Sequence, residues 1–237
     1  MSAAADDSAP ASFSIECCAC PRLARHLASV RETHPEYHAK PVAPFGDVAP
    51  RLIIVGLAPG MHGANRTGRP FTGDYAGILL YDTLHRYGYG SRPDAVATDD
   101  GLALSGCRIT NAVKCLPPQN KPQPNEIRRC NSHLKAELDA LRTDASILAL
   151  GVIAHQAVLM AFGLRRVDYP FAHAAQHALP RGHALFDSYH CSRYNTQTKR
   201  LTKIMFDQVF ATISQYLQDP GHERSTSDPR IAPTTSA

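Results

Sequence analysis

Three polar clusters, each placed directly after an apolar run, contain the side chains best suited to chemistry. The first, GLAPGMHGANRTGRPFTGD at 56–74, holds five glycines, two arginines and one aromatic residue, Phe71. The others are the stretch 111–121 and HCSRYNTQT at 190–198. Glycine lets the backbone approach a flat ligand closely, and arginine favours a polyanion. The first cluster therefore predicts an anion-facing ligand loop that holds one aromatic residue.

The segments around these clusters predict the elements that position them. Short apolar runs at 51–57, 107–113, 146–150 and 183–189 predict four strands, and helical patterns follow each of them. Asp74 is placed to cap the helix that runs to about Tyr87, and Pro124 and Glu126 fit the start of the next one. This alternation predicts an α/β single-domain three-layer sandwich with a central, mostly parallel four-stranded sheet. The carboxyl ends of parallel strands share one edge, so we expect the clusters to meet there.

Length and composition predict one ordinary globular domain. The chain has 237 residues and a net charge of +4, which permits contact with nucleic acid without requiring it. We expect residues 13–218 to form the domain and 1–12 and 219–237 to be disordered tails. No window reaches the ~18 apolar residues of a membrane helix, and the amino terminus lacks the features of a secretory signal. We therefore expect a monomer in the cytoplasm, without membrane contact and with reduced cysteines.

Four of the seven cysteines form two pairs that could bind a metal. Cys17 and Cys20 form a C-x2-C pair, whereas Cys115 and Cys130 have fourteen residues between them. Four thiolates can hold zinc or an iron–sulfur cluster, but this spacing matches neither a zinc ribbon nor a ferredoxin. The alternative is that these are core thiols, because free cysteine is commonly buried. Both interpretations stay open on spacing alone.

Four segments together resemble family 5 of the uracil-DNA glycosylase superfamily. They are CxxCPRL at 17–23, GLAPGxHGxNRTGRPFTGD at 56–74, TNAVKCLPPxNKP at 110–122 and SYHxSRxNTQTxRLT at 188–202. The resemblance implies a uracil-DNA glycosylase-like fold and the removal of uracil, and of other deaminated bases such as hypoxanthine, from DNA. It also implies a [4Fe–4S] cluster on Cys17, Cys20, Cys115 and Cys130. Met61, Tyr194 and the additional Cys18 depart from the family pattern.

The predicted catalytic residues are Asp74, Asn111 and His190. An excised base needs a stacking surface and hydrogen bonds to its edge, which Phe71 and Asn111 can supply. His190 can donate to a uracil carbonyl as negative charge develops there. Family 5 has an apolar residue, here Ala58, where related families place an acid or amide, so Asp74 is the candidate to orient water. Each residue has a structural alternative: a core aromatic for Phe71, a turn residue for Asn111, a backbone-bonded histidine for His190 and a helix cap for Asp74.

Further residues are predicted to bind the base or the DNA. Gly56, Ala58 and Gly60 belong to the predicted base-binding loop. The predicted DNA-binding residues, with solvated surface charge as the alternative for the cations, are Arg66, Arg69, Ser192, Arg193 and Tyr194.

The competing functional hypothesis is a binding protein for DNA lesions or nucleic acids, with an iron–sulfur or zinc site and without turnover. An unrelated nucleotide enzyme is disfavoured because the chain has neither GxxxxGK[ST] nor GxGxxG.

Overall fold

The computed structural model describes residues 13–143 and 145–218. The predicted tails at 1–12 and 219–237 lie outside the described residues, so their predicted disorder stays a prediction.

Six strands form one sheet: β1 (Phe45–Gly46), β2 (Leu52–Gly56), β3 (Cys107–Asn111), β4 (Ser146–Leu150), β5 (Gln176–Ala178) and β6 (Ala184–Ser188). Their order is β1-β3-β2-β4-β6-β5. The four inner strands are parallel, and β1 and β5 add antiparallel edges. The predicted α/β class and its four parallel strands are confirmed, but the strand count of four was wrong. Both edge strands were missed because they are short and lack an apolar run.

The helices are α1 (Pro21–Thr33), α2 (Ala64–Thr67), α3 (Tyr75–Arg86), α4 (Pro124–Asp139), α5 (Val152–Ala161), α6 (Arg193–Gln197) and α7 (Lys203–Gln218). Helices α3 and α7 cover one face of the sheet, where Leu80 and Phe206 join the cluster around Ile54. Helices α4 and α5 cover the other face, where Leu134 and Val158 join the core. The inner strands are fully or almost fully buried, which is why they are nearly continuous apolar runs.

Local sequence signals explain where the two helices nearest the site begin. The Asp74 side chain accepts a hydrogen bond from the Gly77 amide at 3.0 Å and so caps α3. A capping box formed by Gln123 and Glu126 starts α4. Both predicted helix starts are confirmed. Together they fix the chain as it leaves the first two polar clusters.

Helix α1 packs outside the two main layers on a third apolar cluster. Leu23 and Leu27 contact the segment after β3, including Leu116. The Arg22 guanidinium also donates to both carboxylate oxygens of Glu126 in α4, at 2.7 and 2.8 Å. Two-pronged pairing of this kind has higher directionality than a single ionic contact. Helix α1 is thereby attached beside the start of α4.

Within the described residues, no helix combines the length and the apolar composition needed to cross a membrane.

Candidate active site

A cavity of about 390 Å³ opens at the carboxyl ends of the inner strands. Its volume falls in the range of small-molecule sites. The polar clusters that follow β2, β3 and β6 all contribute to its wall, as the topology predicts. The residues that line it are Leu57, Ala58, Gly60, Ala64, Phe71, Asp74, Tyr75, Ala76, Asn111, Asn120, His190, Ser192 and Arg193.

Gly56, a predicted base-binding residue, is not among the residues that line the cavity, but it ends β2 directly beside the end of β3. It is paired with Asn111 in the parallel register. A Cβ atom on Gly56 would lie 2.5 Å from Asn111 Oδ1 and 2.8 Å from the Phe71 ring. Contacts this short do not occur between unstrained atoms, so only glycine lets the amide and the aromatic ring approach each other here.

Phe71 forms one wall of the cavity in an uncommon backbone conformation. Its φ is +53°, and its ring stacks on the His190 imidazole at 5.8 Å between centroids and 27° between planes. The Tyr81 hydroxyl donates to the Pro70 carbonyl at 2.7 Å and so holds the turn from beneath. A left-handed φ at a bulky residue requires such support. The fold thus holds the ring of Phe71 against the site.

His190 carries no positive charge at neutral pH. Burial lowers the pKa of His190 to about 4. The Asn195 side-chain amide donates to the His190 carbonyl at 2.8 Å and fixes the backbone. Within the described part of the chain, the buried Nδ1 atom of His190 has no hydrogen-bond partner, and neither has the buried Oδ1 atom of Asn111. Buried polar atoms are nearly always paired, so two unpaired ones at one cavity indicate a ligand that pairs them.

Asp74 lines the same cavity while it caps α3. Its Oδ1 atom accepts from the Gly77 amide, whereas Oδ2 lies towards Gly60 and Gly63. A Cβ atom on Gly63 would stand 2.4 Å from this second oxygen. Burial raises the pKa of Asp74, and the amides of Gly77 and Ala76 oppose that rise. The Gly77 amide thus bonds to Oδ1, whereas Oδ2 is the oxygen on the side of the glycine loop.

Asn120 lines the cavity but was missed by sequence reasoning. It belongs to a short 3₁₀ turn, Pro118–Asn120, and has a φ of +56°. Asparagine tolerates this region better than most residues. The available signal was its place in the predicted polar cluster at 111–121.

The predicted DNA-binding residues separate into an exposed group and one buried arginine. Arg66, Arg193 and Tyr194 are exposed, and Ser192 caps the five-residue helix α6 beside the cavity. Arg69, by contrast, has only 4% of its side chain exposed. Its guanidinium donates to both oxygens of Asp100, at 3.0 and 2.5 Å. Arg69 therefore does not reach the surface as a phosphate contact requires, and this structural role replaces the predicted one.

Four cysteine side chains meet at a second cavity. Cys17, Cys20, Cys115 and Cys130 all line it, whereas Cys18 is exposed and does not. Burial raises the pKa of Cys115 to about 12, and the charges of the other three thiols add to the rise. The Lys114 amide donates to Cys130 Sγ at 3.3 Å. The four thiols come from the segment before α1, the loop after β3 and helix α4, so an ion held among them would join these elements.

Comparison with known proteins agrees with this architecture. A model of the uracil DNA glycosylase superfamily matches residues 43–217. The chain is 48% identical to a type-5 uracil-DNA glycosylase of Thermus thermophilus over 198 residues, which is 81% of this chain and 90% of the relative. It is 39% identical to the type-5 enzyme of Pyrobaculum aerophilum, over 79% of this chain and 83% of the relative. It is 42% identical to the type-5 enzyme of Mycobacterium tuberculosis, over 82% of this chain and 75% of the relative. The chain belongs to the uracil-DNA glycosylase superfamily and, within it, to the type-5 uracil-DNA glycosylases.

Proposed function

We propose that this protein hydrolyses the N-glycosidic bond of uracil in DNA and leaves an abasic site. One observation carries the proposal: the unpaired, buried Asn111 Oδ1 and His190 Nδ1 atoms occur at one cavity beside the Phe71 ring. Uracil is flat and offers both N–H and C=O groups on its edge. An extruded uracil would therefore satisfy the groups that the protein leaves unpaired.

Base recognition is assigned to Phe71, Asn111 and the glycine loop. Phe71 supplies the stacking face, and Asn111 pairs with the edge of the base through its acceptor and donors. Gly56 permits their close approach, while Ala58 and Gly60 leave the wall above them free of bulk. The same small residues support access for other deaminated bases, among them hypoxanthine.

His190 is assigned to stabilise the departing base. Cleavage places negative charge on a uracil carbonyl oxygen, and a donor aimed at that oxygen lowers the barrier. The low pKa of His190 makes this donor a neutral imidazole at physiological pH. A donor need not be cationic, because a neutral imidazole in the right tautomer still offers an N–H group. Stacking on Phe71 holds the ring in place.

Asp74 is assigned to orient the attacking water and to offset the positive charge that develops on the sugar. Its Oδ1 atom stays with the helix cap, so Oδ2 is the oxygen that we assign to water. Asn120, on the opposite chain segment, is placed at the same cavity and can hold the water with its side-chain amide. Ala58 contributes no polar group, so we assign the water to these two side chains.

Contacts with DNA are assigned to the exposed residues around the cavity. Arg66 is held by a hydrogen bond from its Nε atom to the His62 carbonyl at 2.8 Å, and Arg193 lies over the Tyr75 ring at 5.9 Å. Both leave guanidinium nitrogens for phosphates. Tyr194 has 70% of its surface exposed and lies two residues after Ser192 in the segment 191–195, which we assign to fill the space that the extruded base leaves.

The four-cysteine cavity is assigned to a [4Fe–4S] cluster. Four thiols from three separate segments at one cavity fit the donor set that such a cluster requires. The cluster would supply structural cross-linking between α1, the loop after β3 and α4, remote from bond cleavage. Cys20→Ser should lose iron while Cys18→Ser keeps it, as measured by iron content and visible absorbance of protein purified without oxygen. Retention of iron by Cys20→Ser, or its loss from Cys18→Ser, would overturn this ligand assignment.

The activity is tested with a panel of duplex and single-stranded oligonucleotides that each contain one uracil, hypoxanthine or xanthine. We expect abasic product from uracil, and a large loss of rate in His190→Ala. Ala58, which lacks a side chain that activates water, is the feature that favours the competing hypothesis of a non-catalytic lesion-binding protein. Retention of the uracil duplex without product, in wild-type protein that contains its cluster, would support that hypothesis and refute ours.

A further inference from the structure

A second group of metal-binding side chains lies away from the cysteines, on the β5 edge of the sheet. His155 of α5, His177 of β5 and Asp187 of β6 place one ligand atom each within 4.8 Å of the others. Asp187 is fully buried, the His155 side chain is 2% exposed and that of His177 is 12% exposed. The group therefore has a buried carboxylate, two imidazoles and one side open to solvent.

The hydrogen bonds of His155 determine where its ring carries protons. Its Nε2 atom lies 2.9 Å from the Tyr169 carbonyl, which can only accept, so Nε2 carries a hydrogen and donates it. Its Nδ1 atom lies 2.8 Å from Asp187 Oδ1. A neutral ring would then direct a lone pair at an ionised carboxylate. Three arrangements satisfy this contact: a proton on the Asp187 carboxyl group, a second proton on the His155 ring, or a metal cation that both residues bind.

His177 supplies the third donor that a metal cation would need. Its Nε2 atom lies 3.3 Å from Asp187 Oδ2, so a second imidazole nitrogen approaches the carboxylate from the other oxygen. Protons would join these side chains through one hydrogen bond per contact, whereas a single metal ion would bind all three donors at once. Two imidazole nitrogens and a carboxylate oxygen match a zinc donor set. The His155–Tyr169 hydrogen bond is also the kind of outer contact that orients a metal-binding histidine.

We propose that His155, His177 and Asp187 bind a divalent transition-metal ion, with zinc as the expected occupant and water in its remaining position. The three ligands belong to three different elements, so the ion would attach the three-residue strand β5 to β6 and α5. Strand β6 leads directly to His190, whose position the ion would help to maintain. The proposal depends on neither the cysteine cluster nor the reaction.

The test begins with wild-type protein that contains its iron–sulfur cluster. The protein is equilibrated with zinc, free zinc is removed, and the zinc and iron contents are then measured by elemental analysis. His177→Gln is the informative variant, because its amide can still bond to Asp187 but is a poor zinc ligand. His85→Gln, at an exposed position of α3, is the matched control. Crystals of zinc-treated protein, measured at the zinc absorption edge, locate the ion.

We expect equimolar zinc in wild type and His85→Gln, with unchanged iron and an anomalous peak among the three side chains. His177→Gln should bind zinc at least about 10- to 100-fold more weakly. Wild-type protein that keeps no zinc would show that hydrogen bonds alone join the three side chains and would overturn the proposal. Equal binding by His177→Gln, or zinc that only replaces iron at the cysteines, would overturn it as well.

Discussion

Replacing Asp74 with asparagine separates its two roles in the structure. Asparagine caps helices about as well as aspartate, and its side-chain oxygen can accept from Gly77 as Asp74 Oδ1 does at 3.0 Å. We therefore expect the free energy of unfolding to change by no more than about 0.5 kcal/mol. The negative charge at the cavity is lost. Any large change in rate then reports on chemistry and not on folding.

The size of the expected rate loss follows from the environment of Asp74. It is the only carboxylate that lines the cavity within the described residues, so no neighbouring acid replaces its charge. A positioned general base contributes about 10²- to 10⁴-fold. Because the cap takes up Oδ1, we expect the lower part of this range, a 10²- to 10³-fold loss, or about 3–4 kcal/mol of barrier.

Single-turnover release of uracil from a duplex, with enzyme in excess, measures this step directly. Asp74→Ala is the companion variant, which should show a similar rate loss and a further loss of about 1 kcal/mol in stability through the missing cap. Because burial raises the pKa of Asp74 above its usual 3.8, the wild-type rate should rise with pH as the carboxylate ionises, at a pH above that value. Asp74→Asn with a rate within about threefold of wild type would show that Asp74 is only a cap, since even a weak general base exceeds that factor.

Three further experiments test other parts of the site. Gly56→Ala should lower the single-turnover rate about 10²-fold, because its Cβ would displace the Asn111 amide or the Phe71 ring. An unchanged rate would show that the amide and the ring need not approach each other so closely. Between about pH 4 and 6.5 the unfolded chain protonates His190 and the folded protein does not, so the free energy of unfolding should rise with pH by up to about 3 kcal/mol, as followed by denaturant titration. His190→Gln should flatten this rise, and an equal slope in that variant would contradict the burial of a neutral ring. Arg66→Gln should reduce the slope of log K for DNA binding against log salt concentration by about one released counterion. Arg69→Gln should leave that slope unchanged and should destabilise the fold by about 3–5 kcal/mol, because it leaves Asp100 buried without its partner. The opposite pattern would reverse our assignment of the two arginines.

Local sequence signals predicted the parts of the fold that depend on neighbours along the chain. Apolar runs identified the four inner strands, and Asp74 and Glu126 identified two helix starts. Strand β5 escaped prediction because it reads Gln-His-Ala, and it pairs with β6 through backbone groups that carry no sequence signature. Parallel strands share one carboxyl edge, and this rule correctly predicted that the three polar clusters lie at one cavity.

Interactions between distant residues could not be predicted in the same way. Arg69 was expected at the surface because it lies in a polar loop, but Asp100, thirty-one positions away, holds it in the interior. Burial alone would raise the pKa of Asp100. The hydrogen bonds from Arg69 and three backbone amides outweigh this effect and lower that pKa. Asn120 reaches the cavity through a positive φ that the sequence does not specify. The roles of the individual site residues, the cluster, the monomeric state, the cytoplasmic location and the domain limits stay predictions.

A crystal structure with DNA that contains a 2′-fluorinated deoxyuridine, whose glycosidic bond resists cleavage, tests the central claim most directly. We predict an extruded uracil stacked on Phe71, with its edge bonded to Asn111 and one carbonyl oxygen facing His190. A uracil that stays in the duplex, or that occupies a different surface of a protein bound at the lesion, would contradict the account.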